Sequence, residues 1–124
     1  MQKKINIESA QLKDHALIFC AADTEWAVEG LQPKRHMLVD SDQLAFLYIL
    51  ENEVEFVYVS IPHTLWPQLK EAQAENKKVY IVCNGLEIEL KGLQEELEYL
   101  VQNIEGNANY GEQLVNKVEE IFLA

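Results

Sequence analysis

The chain has 124 residues, of which 48% are hydrophobic and 25% charged. A chain of this length can bury a core without a metal or a disulfide, and its composition argues against a disordered protein. The formal net charge of -11 would repel polyanions, and the basic residues stand in isolated pairs, so we expect no binding to nucleic acid or to an anionic membrane.

The start of the chain shows no pattern of a leader peptide. The basic first residues run into a polar–apolar alternation, and no stretch approaches the roughly 18 apolar residues that a membrane helix needs. We therefore expect one domain over residues 1–124, located in the cytoplasm. Cys20 and Cys83 lie far apart in apolar, strand-like runs, which predicts buried free thiols, with a disulfide or redox pair as the alternative.

Residues 1–61 are rich in strand patterns. The alternation around Trp26 and Val28 predicts one short strand there. Residues 45–50 and 54–60 carry apolar side chains on both faces, which is typical of strands covered on both sides. We expect these two strands to form a hairpin near the middle of the sheet.

The spacing of the apolar residues changes from that of a strand to that of a helix in residues 62–76. Leu65, Leu69 and Ala72 recur at helical spacing, and Thr64 has the side chain of a helix N-cap. The pattern predicts one helix over this segment.

Residues 79–90 carry the strongest hairpin signal in the chain. Asn84-Gly85 suits a type I′ turn, in which both central residues need positive φ. This turn pairs Cys83 with Leu86 and leaves the outer face with Tyr80 opposite a glutamate, so Tyr80 is an aromatic candidate for a contact surface.

Residues 92–124 predict two amphipathic helices joined by a short connection, that is, a helical hairpin. Asn109, three residues before Glu112, resembles a capping box for the second helix. Strands followed by segregated helices indicate an α+β fold. We expect a mostly antiparallel twisted sheet packed against about three helices, with a partial barrel as the alternative form of the sheet.

Few residues are candidates for chemistry, and each has a structural alternative. Asp40 and Asp42 form an Asp-x-Asp pair that suits Mg²⁺, but a turn uses the same residues. His63 stands where a strand becomes a helix. Its imidazole is a candidate base or metal ligand, and local hydrogen bonding is the structural alternative. Trp66 is a partly buried anchor or, if exposed, a binding hot spot.

The connection between the last two predicted helices is the remaining candidate. Asn107, Asn109 and Tyr110 stand among glycines, where backbone N–H groups can face an anion, although neighbouring glutamates and the need for a tight turn favour a structural role. No nucleophile motif or metal-ligand spacing is present in the sequence, so we expect no catalytic residue, metal or cofactor.

Five segments resemble a small family of uncharacterised cytosolic proteins from bacilli and related Gram-positive bacteria. The segments are VDSD (39–42), FLYILENE (46–53), YVSIPHT (58–64), EYLV (98–101) and NIEGNANYGE (103–112). The resemblance runs nearly end to end and implies a bacterial cytosolic protein. No activity or partner comes with it.

Three functions follow from these patterns. We favour a non-enzymatic protein–protein interaction or regulatory module, with Trp66 and Tyr80 on its contact surface. The alternative is a small-ligand-binding protein or minor enzyme whose pocket lies between sheet and helices and gathers the polar candidates. A homodimer built by an edge strand or by the last helices is the third possibility.

Overall fold

In the part of the chain that the structure describes, seven strands form one sheet, accompanied by three α-helices. The computed structural model describes residues 3–123. The strands are β1 Lys3–Leu12, β2 Ala16–Ala21, β3 Gln32–Asp40, β4 Ala45–Glu51, β5 Phe56–Pro62, β6 Lys78–Cys83 and β7 Leu86–Glu89. The helices are α1 Trp66–Ala74, α2 Leu93–Ile104 and α3 Glu112–Phe122, and 3₁₀ turns at His63–Leu65 and Ala108–Tyr110 precede α1 and α3. The fold class is α+β, as predicted.

The sheet is mixed, which corrects the prediction of a mostly antiparallel sheet. Its order is β3-β4-β5-β1-β2-β6-β7, with β1 parallel to β5 and β2 parallel to β6. The antiparallel hairpin of β1 and β2 occupies the centre, so that β5 and β6 add to its two sides. Sequence periodicity reports which face of a strand is buried but not which strand lies beside it, and this is why the parallel pairs were missed.

The sheet curls into a half-barrel. Four strands separate β4 from β7, yet the Tyr48 hydroxyl on β4 donates a hydrogen bond to the carbonyl of Lys91, just beyond β7. The helices and one face of the sheet share a single hydrophobic cluster. Strand β4 is buried on both faces, as its apolar run predicts, because Leu47 and Ile49 on the opposite face are only 9% and 5% exposed.

One local prediction in the first two thirds of the chain is wrong, and another differs from the structure in its first residues. Residues 22–31 form a loop rather than a strand at Trp26 and Val28, although Val28 still packs into the core. The segment 62–76 does contain a helix, α1, but it begins as the 3₁₀ turn, and neither Thr64 nor any other side chain caps α1. Pro67 stands in the first turn of α1, where the missing N–H costs no hydrogen bond.

The hairpin in residues 79–90 is confirmed in turn and register. Cys83 pairs with Leu86 and Tyr80 with Glu89. The φ angles of Asn84 and Gly85 are 54° and 77°, as a type I′ turn requires.

The turn residue Asn84 also holds the loop of residues 22–31. Its Oδ1 accepts a hydrogen bond from the Thr24 N–H (2.8 Å), and its Nδ2 donates to Thr24 Oγ1 (2.8 Å) and to the Trp26 carbonyl (3.2 Å). One side chain therefore joins the tip of one hairpin to a loop about sixty positions earlier in the chain.

We expect Asn84→Gly to keep the turn but to release the loop, because glycine adopts positive φ freely and has no side chain to bond Thr24. The free energy of unfolding should fall by about 1–3 kcal/mol, and amide hydrogen exchange should accelerate in residues 22–31. Thr24→Ser, which keeps the hydroxyl and the N–H, serves as the control. Equal exchange in wild type and Asn84→Gly would contradict the anchoring role.

Candidate functional site

The turn between β3 and β4 contains the Asp-x-Asp pair. Asp40 Oδ1 accepts the Gln43 N–H at 3.1 Å, which is the local bond of an Asp in a turn. The Lys4 Nζ lies 3.7 Å from Asp40 Oδ2, and both side chains are partly exposed, so that solvent screens the pair. Asp40 and Asp42 line a shallow polar concavity of about 400 Å³ together with Lys4, Asn6 and Ser60.

A second depression, which we call the edge groove, runs between strand β3 and helix α2. It measures about 650 Å³. Its lining residues are His36, Met37, Leu38, Val39, Glu96, Tyr99, Leu100, Asn103 and Tyr110. Tyr99 is 65% exposed and Leu38 is 41% exposed, so the groove presents apolar surface to solvent. The turn carrying Asp40 borders the groove, because Ser41 Oγ donates to the Tyr110 carbonyl at 2.7 Å.

Glu96 organises one end of the edge groove. Its Oε1 lies 3.3 Å from His36 Nδ1 and accepts the Met37 N–H at 3.3 Å. A single carboxylate on α2 thus contacts both a side chain and a backbone amide of β3. Glu96, Tyr99 and Leu38 were not predicted from the sequence, although one signal was available: Tyr99 lies outside the buried stripe of α2 and is an aromatic residue on a polar helix face.

The asparagines before α3 make local turn contacts. Asn107 Oδ1 accepts the Asn109 N–H at 3.0 Å, and Asn107 Nδ2 donates to the Asn103 carbonyl at 3.4 Å. Asn107, rather than Asn109, therefore caps the 3₁₀ turn, and Gly111 is the N-cap residue of α3, with no side-chain cap. This corrects the capping-box prediction. Tyr110 is the member of this segment that lines the edge groove.

Trp66 is a core residue, which removes it from the expected contact surface. Its side chain is 0% exposed, and its ring stacks on Phe46 with centroids 4.3 Å apart. Its Nε1 donates to the Ile61 carbonyl at 3.0 Å. His63 lies edge-on to the Trp66 ring at 6.3 Å. No side-chain bond of His63 is observed within residues 3–123, and its backbone N–H donates to the Leu44 carbonyl at 2.9 Å.

Tyr80 lies on β6, half-buried and opposite Glu89. Four strands separate β6 from β3 in the sheet order. The candidates thus divide into separate places: Asp40 and Asp42 in the polar concavity, Tyr110 in the edge groove, and Tyr80 on another strand.

The two cysteines lie on opposite faces of the sheet. Cys20 on β2 pairs with Val82, so Cys83, the next residue of β6, points to the other face. A disulfide between them is therefore ruled out, and both thiols are free. Burial, and then the nearby carboxylate of Asp23, raise the pKa of the Cys83 thiol, which disfavours a reactive thiolate.

Tyr48 is the other perturbed group. Burial is the main cause that raises the pKa of its phenol far above the ordinary value, and the backbone and charge of Arg35 oppose this shift. The hydroxyl keeps its proton and donates a hydrogen bond to the Lys91 carbonyl, and this contact ties β4 to the far side of the half-barrel.

We expect Tyr48 to make stability fall at high pH. Above the ordinary tyrosine pKa of about 10, the unfolded chain releases the phenolic proton while folded Tyr48 retains it, so the free energy of unfolding decreases as pH rises. At pH 8, Tyr48→Phe should cost about 0.5–2 kcal/mol through the lost hydrogen bond. That cost should shrink by up to about 1.4 kcal/mol per pH unit above pH 10. Urea unfolding of wild type and Tyr48→Phe at pH 8 and 11 measures this cost. If the difference in the free energy of unfolding were the same at both pH values, the buried phenol would be refuted.

Two negative findings concern residues 3–123. Within this range, no group of three or more His, Cys, Asp or Glu side chains is placed to hold a metal ion. None of the helices in the same range combines the length and the apolar character needed to cross a membrane.

Comparison with known proteins gives full-length relatives. A family model described as "Family of unknown function (UPF0738)" matches residues 5–122. The chain is 58% identical over 123 residues to UPF0738 proteins of Bacillus cytotoxicus and Bacillus mycoides, and 56% identical to one of Bacillus thuringiensis. Each alignment covers 99% of this chain and 100% of the relative. No solved structure matches. The chain therefore belongs to the UPF0738 family.

Proposed function

We propose that the protein is a non-enzymatic binding module that contacts a protein partner through the edge groove. The observation that carries the proposal is the pair of exposed apolar side chains, Tyr99 at 65% and Leu38 at 41%, on either wall of one groove. Tyrosine is enriched among residues that dominate binding energy, because it offers a large rigid contact area and a polar tip.

The chemistry around the groove supports binding over catalysis. Glu96 is held by Met37 and His36, so its two contacts serve the architecture of β3 and α2. The perturbed groups Tyr48 and Cys83 lie outside the lining of the groove, whereas a catalytic acid or base usually stands in a cleft.

The test compares three tagged proteins as baits in a Bacillus lysate. We expect one protein to co-purify in stoichiometric amount with wild type and with Val54→Ser, a control on a distant exposed turn, but not with Tyr99→Ala. The measured Kd should rise at least tenfold for Tyr99→Ala, which corresponds to about 1.4 kcal/mol. Equal recovery of the partner with wild type and Tyr99→Ala, or no partner with the wild-type bait, would contradict the proposal of a binding module.

A second candidate function is the binding of a small polar ligand in the concavity of Lys4, Asp40 and Asp42. The observation that favours it is that both carboxylates and the ammonium group line one depression. A thermal-shift screen of metabolites with wild type and Asp40→Asn tests it. Any compound that stabilises both proteins equally would show that this concavity is not the binding site.

A further inference from the structure

We infer that the edge groove binds an extended, basic peptide segment of the partner, which adds to the sheet as a new strand beside β3. This inference rests on the proposed function and specifies how the partner docks. Strand β3 ends the sheet order, so no strand within residues 3–123 pairs with its outer edge. Four consecutive residues of β3, His36 to Val39, line the groove, so the groove follows the edge of the strand and not just one of its faces.

The hydrogen-bond alternation shows which backbone groups point into the groove. The His63 N–H donates to the Leu44 carbonyl, and these two residues continue the register in which Ala45 pairs with Pro62. Residues Phe46, Tyr48 and Leu50 therefore direct their backbone groups towards β5, whereas Ala45 and Leu47 direct theirs towards β3.

The direction of the backbone N–H and C=O groups alternates in the same way along β3. Leu47 pairs with Leu38, so Leu38 turns its N–H and C=O towards β4, and its neighbours Met37 and Val39 turn theirs outwards. The contact of the Met37 N–H with Glu96 on α2 independently places that amide on the outer edge. The N–H and C=O of Val39 and the C=O of Met37 are therefore directed to the side where a further strand would pair.

Glu96 accepts the hydrogen bond of the outward-facing Met37 N–H, and its carboxylate lies at the groove. Met37 is the first residue after the irregular stretch of β3, since regular pairing resumes there and continues to Asp40. The regular edge available to a guest is therefore short. An extended segment needs about 3.3 Å per residue, and three or four of its residues would cover this edge.

Charge complementarity selects the occupant. The chain has a net charge of -11, and among the groove residues Glu96 is the acid, opposed by one histidine. A second copy of the chain would bring the same negative charge, whereas a Lys- or Arg-containing segment would be attracted. An apolar side chain of such a segment would lie on the exposed faces of Leu38 and Tyr99, since backbone pairing supplies affinity and side-chain contacts supply specificity in strand addition.

The test uses ten-residue random peptides displayed on phage and selected against the full chain. We expect selected peptides to combine apolar residues with Lys or Arg. Synthetic copies, N-methylated at one backbone amide at a time, then probe strand pairing by fluorescence anisotropy. Methylation at alternate positions should raise the Kd at least tenfold, and methylation at the intervening positions should leave it nearly unchanged.

Variants of the protein examine the same edge. Val39→Pro removes the outward N–H without removing a bond to β4 and should weaken binding at least tenfold, whereas Val39→Thr keeps the N–H and should bind normally. Glu96→Gln keeps the acceptor for Met37 but removes the charge, so it should weaken binding several-fold and reduce the salt dependence. The N-methyl scan is decisive if Val39→Pro fails to fold.

Each negative result of these experiments rules out a different part of the proposal. Binding that needs Tyr99 but shows no alternating response to N-methylation would overturn strand addition and leave the proposed function intact. Failure to select any groove-binding peptide, alongside a Tyr99-dependent protein partner, would also overturn the short-segment occupant. Self-association through this edge in light scattering would assign the groove to a second copy. Loss of every Tyr99-dependent interaction would refute the proposed function itself.

Discussion

Trp66→Ala is expected to lower the free energy of unfolding by about 3–5 kcal/mol, a large part of the 5–15 kcal/mol typical of a domain. The indole is completely buried, stacks on Phe46 at an interplanar angle of 13°, and lies with its ring centroid 5.9 Å from that of Phe122. Its removal leaves a cavity between sheet and α3 and also leaves the Ile61 carbonyl without its donor. Urea unfolding followed by far-UV circular dichroism measures the loss.

Two further variants separate packing from hydrogen bonding at this position. Trp66→Phe keeps a ring against Phe46 and loses the Nε1 donor, so its cost should be smaller than that of Trp66→Ala. Trp26→Ala removes the other, half-buried tryptophan, whose ring lies 5.1 Å from the Lys3 Nζ, and should cost less than either. A cost for Trp66→Ala no greater than that for Trp26→Ala would contradict the core assignment.

The stability effect of Trp66→Ala bears on the choice of binding variants. Any loss of partner binding in Trp66→Ala would follow from damage to the core and could not be ascribed to a contact surface. Tyr99 is the better probe, because its side chain is exposed while the opposite face of α2 is buried. The position of a tryptophan in the sequence does not distinguish these cases, since Trp is both highly buried on average and enriched in binding hot spots.

Elements whose structure depends on neighbouring residues were predictable from the sequence. The turn at Asn84-Gly85 and the register of Cys83 with Leu86 follow from positive φ and from the period of two, and both are confirmed. The family resemblance is confirmed as well. The parallel pairing of β1 with β5 depends on residues more than fifty positions apart, and no local pattern encodes it.

The candidate site was less predictable for a related reason. Residue types that carry chemistry, such as His63 and Asp40, are visible in the sequence, but the bonds of these two residues in the structure build turns. The edge groove depends instead on where α2 crosses the last strand of the sheet, which brings Leu38 and Tyr99 together from about sixty positions apart. Only the sheet order identifies β3 as an edge strand, so its free backbone groups cannot be read from the sequence.

Val118→Asp is expected to have the other large effect, a loss of more than about 3 kcal/mol or a complete failure to fold, because it places a carboxylate in an apolar interior. Val118 is 0% exposed in α3 and belongs to the same hydrophobic cluster as the sheet. Gln113→Asp is the matched control. It adds the same carboxylate at an exposed position in the first turn of α3, where the helix dipole favours an acid, and should change stability by less than about 0.5 kcal/mol.

The pattern of unfolding in Val118→Asp shows whether α3 unfolds together with the core or is a separately docked helix. Phe122 packs near Trp66, and Glu119 Oε2 accepts the Gly106 N–H at 3.0 Å just beyond α2, so α3 is tied both to the core and to the end of α2. We therefore expect hydrogen-exchange protection to be lost in the strands as well as in α3. If only residues 112–122 lost protection, α3 would be a separately docked helix. The antiparallel packing of α2 and α3 as a helical hairpin stays a prediction, and protection that falls together in both helices would support it, because a shared interface couples their stabilities.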